Sequence, residues 1–148
     1  MLQLVDAIEQ AEHRREVAQG TITPALQHHI VLDNVALGFG NKPVLRDVTM
    51  TIPKGFLTCL IGPSGSGKSS IADLILGFAE ASSGAISVDD VPLAQLDLHA
   101  WRQRIGYVSQ DNVLLNDSVL NNVSVGLPAP SAAAAEQALE AAGAMEFV

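Results

Sequence analysis

The chain has 148 residues, 48% of them hydrophobic, with a mean hydropathy of +0.27, enough to bury one core and unlike the composition of disordered or fibrous chains. Its formal charge of −8 and pI near 4.7 repel phosphate backbones and anionic lipid surfaces alike, which excludes nucleic acid as a partner of the free chain. The single cysteine, Cys59, cannot form an internal disulfide; within its apolar run it reads as a small buried residue and fits a reducing setting. No apolar stretch approaches the roughly 20 residues of a membrane-spanning helix. Asp6 and Glu9 stand where a signal peptide would be basic and then apolar.

Taken in chain order, residues 1–19 place Leu4, Ile8 and Ala11 at helical spacing before a charged stretch that includes Arg14 and Arg15, and Gly20 and Pro24 end the pattern. This predicts a linker helix with a solvated charged face. Residues 29–39 predict a strand and 40–43 a turn; Val48, Met50 and Ile52 then alternate with Thr49 and Thr51, predicting a second strand. The run 56–61 is nearly all apolar, the pattern of a strand covered on both faces in a parallel sheet. It leads into a glycine-rich loop, after which Ile71, Leu74, Ile75 and Phe78 recur at helical intervals with Gly77 near the end. Residues 85–88 predict a short strand followed by Asp89, Asp90 and Pro92. A helix over about 98–104 carries Leu98, Trp101 and Ile105 on one face and leads into a strand over 105–109. Alanine dominates 131–144, with Glu136 and Glu140 four residues apart, predicting a last helix.

The loop GPSGSGKSS, residues 62–70, meets the template of glycine, four residues, Gly-Lys and then serine or threonine through Gly62, Gly67, Lys68 and Ser69. It lies between a predicted strand and a predicted helix, as the chemistry requires. Gly62, Gly65 and Gly67 let successive backbone N–H groups turn inward at the positive end of the following helix, with Pro63, Ser64 and Ser66 completing an anion cradle. In such a cradle Lys68 reaches the β and γ phosphates as a point charge, the Ser69 hydroxyl ligates Mg²⁺ bridging them, and Ser70 supports the helix start.

A phosphate cradle is shared by kinases, GTPases and ATPases, and the flanks distinguish them. From about residue 30 onward the chain resembles the nucleotide-binding domain of ABC transporters, particularly the exporter type. IVLDNVALGFGNKPVLRDVTMTIPKG looks like that family's opening hairpin, and Phe39 stands where an aromatic residue, more usually tyrosine, stacks on the adenine. A ring at a strand end can supply a flat apolar surface for a base. LDLHAWRQRIGYVSQ resembles exporter sequences and ends on Gln110, the position of the family's glutamine loop. Its amide can touch Mg²⁺ or the attacking water and release it without a charge penalty. DNVLLNDSVLNNV continues the likeness, with Leu115 where exporters often have phenylalanine.

The resemblance implies an α/β fold, a P-loop NTPase core of the ABC type with an antiparallel hairpin region and the start of a helical subdomain. It divides the chain into a linker helix at 1–25 leading from a transmembrane domain, an ATP-binding core at 26–118 and the beginning of the helical subdomain at 119–148. It further implies ATP and Mg²⁺ as cofactors, a transmembrane domain and a second nucleotide-binding domain in a head-to-tail dimer as partners, and a position at the cytoplasmic face of a membrane. Lys68 and Gln110 are the catalytic candidates, and Ser69 and Gln110 the metal candidates.

Other residues imitate functional ones. Asp33 and the pair Asp89 and Asp90 follow apolar runs, as the Mg²⁺-binding Walker B aspartate does, but belong to the opening hairpin and to a short hairpin whose second position is commonly glycine in the family. His28, His29 and His99 precede the place of the family's switch histidine, and Trp101 reads as core or interface. The family's signature sequence, Walker B strand and switch histidine have no match in these 148 residues, so the chain is expected to be the front part of such a domain, binding Mg-nucleotide weakly with negligible turnover. Two alternatives stay open: a nucleotide-binding or regulatory module that pairs with a complete ABC subunit, and a small P-loop kinase, against which the absence of an arginine-rich lid counts.

Overall fold

In the computed structural model, which describes residues 20–40, 42–110, 114–127, 129 and 131–148, β1 (His29–Phe39) and β2 (Lys42–Pro53) form an antiparallel hairpin. The helix expected over 1–19 lies outside the described residues. Along β1, Ile30 and Leu32 are buried, then Val35 and Leu37. The switch from even to odd positions comes at a register shift between Leu32 and Val35, where Asn34 takes a left-handed φ of 48°. This bulge inserts one residue and keeps both halves of the strand facing the same core, with Asp33 and Asn34 outside. On β2, Val48, Met50 and Ile52 are half-buried and Thr49 and Thr51 exposed, as their alternation predicts.

The sheet runs β2-β1-β3-β4, with β3 (Ser83–Val88) antiparallel to β1 and β4 (Val91–Pro92) antiparallel to β3. Helix α1 (Lys68–Ile75) contributes Ile71 and Leu74 to the core formed by the buried residues of β1. It ends in a Schellman arrangement, the Phe78 N–H donating to the Asp73 carbonyl at 2.8 Å and the Gly77 N–H to that of Leu74 at 3.1 Å. The helical interval that included Phe78 therefore overruns by one turn, and its ring is 62% exposed, with the Arg102 guanidinium 5.5 Å from its centroid. Helix α2 (Leu98–Arg102) is capped by Asp97, whose carboxylate accepts from the His99 and Ala100 N–H groups. Trp101 is core, as expected, and its Nε1 donates to the Ile75 carbonyl at 2.8 Å, tying α2 to the end of α1.

Two expected strands are not formed. Residues 56–61 and 105–109 join no ladder. Phe56 is 76% exposed, Leu57 97%, Ile61 93% and Val108 89%. An apolar run becomes a covered strand only with neighbours on both edges and layers on both faces, and the described sheet offers it none. Cys59 follows its segment and is exposed, not buried.

The chain divides into two compact units, Met1–Gly106 and Tyr107–Val148. The second holds α3 (Val119–Val123) and α4 (Ala132–Ala141). The Asn122 side chain staples the turn before α3, its Oδ1 accepting from the Leu115 N–H at 2.7 Å and its Nδ2 donating to the Leu115, Asp117 and Ser118 carbonyls. The Ser118 backbone N–H, with the Asn121 amide, holds the Asp117 carboxyl below the usual range. Among the described residues no helix is long and apolar enough to cross a membrane.

Candidate functional site

The loop 62–70 sits at the start of α1. Gly65 and Gly67 take φ of 77° and 90°, and Gly67 is the helix N-cap. Two constraints meet at Gly67: a left-handed backbone, and a space in which a Cβ would lie 2.5 Å from the Leu45 Cδ2. Only glycine satisfies both, so β2 fixes the distance at which the loop passes the sheet. The first intrahelical bond, from the Ile71 N–H to the Gly67 carbonyl at 3.0 Å, closes directly behind the loop.

No side chain caps this helix, and its first turn carries no acid. Its leading N–H groups keep their positive end for an external acceptor, the condition for anion binding at a helix start. Lys68 lies across the loop. Its Nζ donates to the Gly62 and Pro63 carbonyls at 2.9 and 2.7 Å and to the Ser66 Oγ at 3.2 Å. The ammonium is thereby held over the cradle by its own loop. Gly62, Pro63, Ser64, Gly65 and Ser66 are exposed, Ser69 is exposed, and Ser70 is half-buried on the first turn. A shallow hollow of about 260 Å³, lined by residues that include Leu37, Gly38, Pro43, Leu45 and Arg46, opens at the turn end of the β1–β2 hairpin, so Leu45 borders both the hollow and the loop.

Phe39 is the last residue of β1, paired with Lys42 across the turn; the expectation that its ring stacks on a base concerns a side chain outside the described set. Gln110 is exposed and belongs to the second unit. Asp33 accepts from the Asn34 amide on the outer side of the β1 bulge. Asp89 and Asp90 form the β3–β4 turn, and Asp89 accepts from the backbone N–H groups of Gln27, His28 and His29. Sequence reading set these aspartates aside and missed that bond set; two adjacent acids at a strand end were its only signal. Among the described residues no group of three His, Cys, Asp or Glu side chains is arranged to hold a metal.

Comparison with known proteins agrees with this geometry. The family model described as ABC transporter matches residues 45–148. An ATP-dependent lipid A-core flippase of Acinetobacter baylyi is 35% identical over 135 residues, which is 90% of this chain and 24% of that protein. The protein of the same name from Alkalilimnicola ehrlichii is 40% identical over 122 residues, 80% of this chain and 21% of the other. A solved structure of a bacterial Atm1-family ABC exporter with ATP bound superposes with a TM-score of 0.80 at 30% identity, covering 97% of this chain and 27% of that one. The chain thus spans about a quarter of the length of the relatives it matches. With a loop built for phosphate, flanks of one kind on both sides and a family model that covers most of its length, the chain belongs to the ABC transporter family.

Proposed function

We propose that this chain is the ATP-binding portion of an exporter-type ABC ATPase, serving in the intact transporter to couple ATP binding and hydrolysis to transmembrane export. The observation that carries the reading is the uncapped start of α1, with Lys68 held over it by the Gly62 and Pro63 carbonyls. The phosphates of ATP sit on the N–H groups of the loop 62–70, and Lys68 faces the β and γ groups. Phe39 meets the adenine.

The donors present also fit Mg²⁺, which takes one or two protein oxygens and fills its shell with phosphate oxygens and water. Ser69 offers an exposed neutral hydroxyl on the first turn of α1, and Gln110 an amide oxygen that the family pattern assigns to the same ion or to the attacking water. The ion, when bound, neutralises charge on the β and γ phosphates. A transmembrane domain and a second nucleotide-binding domain, packed head to tail, complete the working unit on the cytoplasmic side of the membrane.

A fluorescent ATP analogue titrated with Mg²⁺ into the 148-residue protein tests the reading. Loss of the Lys68 ammonium in Lys68→Ala is expected to weaken binding by about tenfold to a hundredfold, the scale of a charged hydrogen bond. Equal affinity for parent and variant would overturn the assignment of the loop. Turnover by this chain is expected to be negligible; steady phosphate release abolished by Lys68→Ala would contradict that.

A second reading, a module that pairs with a complete ABC subunit, draws support from the uncovered Phe56, Leu57 and Ile61. Its test is co-purification with such a subunit: a complex stable to gel filtration supports it, and separate elution counts against it.

A further inference from the structure

Residues 20–28, the described part of the chain ahead of β1, are fastened to the first unit at several points. Gly20 lies so close to Gln95 that a Cβ there would fall 1.8 Å from the Gln95 carbonyl carbon. Two residues on, Ile22 bridges in parallel to Leu96, its N–H donating to the Gln95 carbonyl at 3.1 Å and its carbonyl accepting from the Asp97 N–H at 2.9 Å. Pro24 is fully buried, and Leu26 packs against the core.

The last attachment is the densest. One oxygen of Asp89 accepts from the Gln27 N–H and the other from the N–H groups of His28 and His29 at 2.8 and 2.9 Å. The His28 carbonyl accepts from the Lys54 N–H at 2.7 Å and the His29 carbonyl from the Asp89 N–H at 3.0 Å. Every backbone polar group of His28 and His29 is thereby engaged. We propose that Asp89 is a latch that fixes residues 27–29 to the β3–β4 turn, the last hold on a strap over residues 20–29 that sets how the chain enters β1.

The chemistry of the latch is specific to a carboxylate. Two oxygens with about four lone-pair directions can serve three converging N–H groups, whereas an amide offers one oxygen and turns a donor toward the remaining N–H. Asp89 lies in a two-residue turn with Asp90, at φ of 47° and 66°, between the paired Val88 and Val91. Left-handed backbone at both positions is the type I′ geometry that matches the twist of the strands. The strap's direction is thus set by a turn 61 residues further along the chain. Desolvation against the hairpin pushes the Asp89 carboxyl upward, but the three backbone N–H donors, with His28 nearby, outweigh it and hold the value down to about 2. The role is independent of nucleotide binding by the loop.

Amide hydrogen exchange on the full 148-residue chain tests the latch. Asp89→Ala is expected to speed exchange at Gln27, His28 and His29 by about tenfold to a hundredfold, while Leu32 and Val35 in β1 stay protected. Rates within about twofold of the parent at all three amides would overturn the proposal. Should Asp89→Ala not fold, Asp89→Asn decides: one or two of the three amides lose protection if a carboxylate is required, and unchanged protection of all three overturns it. Gly20→Ala loosens the other end and is expected to expose Ile22 while 27–29 remain protected. Equal loss at 27–29 in that variant would show that Asp89 does not hold them and would also overturn the latch.

Discussion

β1 and the run 56–61 are both rich in apolar residues, yet Leu32 and Val35 are completely buried while Leu57 is 97% and Ile61 93% exposed. β1 has a ladder on each edge, to β2 and to β3, and its apolar residues, brought to one side by the bulge at Asn34, meet α1. The second run has neither ladder nor cover among the described residues. Burial of an apolar residue is therefore a property of its neighbours as much as of the residue, since only surface removed from water contributes, at about 25 cal/mol per Å².

The sharpest way to break this contrast is a pair of truncations followed by urea unfolding. Leu32→Ala leaves a hole in a packed core and is expected to cost about 2–5 kcal/mol, whereas Leu57→Ala removes atoms already in water and is expected to stay within about 0.5 kcal/mol. A large loss for Leu57→Ala would show that something covers that run in solution. A smaller effect within the covered region comes from Trp101→Phe, which keeps an aromatic ring but removes the donor to the Ile75 carbonyl together with part of the indole's volume. About 1–2 kcal/mol is expected, and no change in midpoint would mean that packing alone joins α2 to α1.

Smaller again is the gain expected from Asp90→Gly. A non-glycine residue at φ of 66° is strained, and glycine relieves it at the expense of a His29 contact 3.7 Å long to a side chain that is 92% exposed; about 0.5–1 kcal/mol of stabilisation is expected, and destabilisation would assign that contact real weight. The last effect is local and depends on acid. The folded Asp89 carboxyl at about 2 lies below its ordinary 3.8, so its contribution is present above about pH 4 and lost as pH falls through 2. His28, His29 and Asp90 are the other ionisable groups at this turn. Protection of the Gln27–His29 amides should therefore hold constant from neutral pH to about 4 and decline below it; a decline that sets in well above pH 4 would show that a group other than Asp89 governs it.

Legibility from sequence followed the range of the interactions involved. The start of α1 and the alternation on β2 depend on contacts a few residues long, and both stand where the spacing put them. Gly77 was placed near the end of α1, where the helix does close, but the apolar periodicity carried the interval on to Phe78. Asp89 was set aside as an imitation of the Walker B aspartate, but its three backbone partners lie 60 to 62 residues away, and no local pattern announces such a pairing.

The sequence alone places a glycine loop and then a helix at 62–75 with Lys68 at the helix start, because turn geometry, helix capping and hydrophobic period are local properties of the chain. Only the tertiary structure decided which apolar segments are covered, how the bulge at Asn34 keeps β1 facing one core, and that Asp89 holds the chain's entry into β1. Those outcomes depend on which distant residues reach one another, and pairing of that kind is set by the sum of contacts over the whole fold.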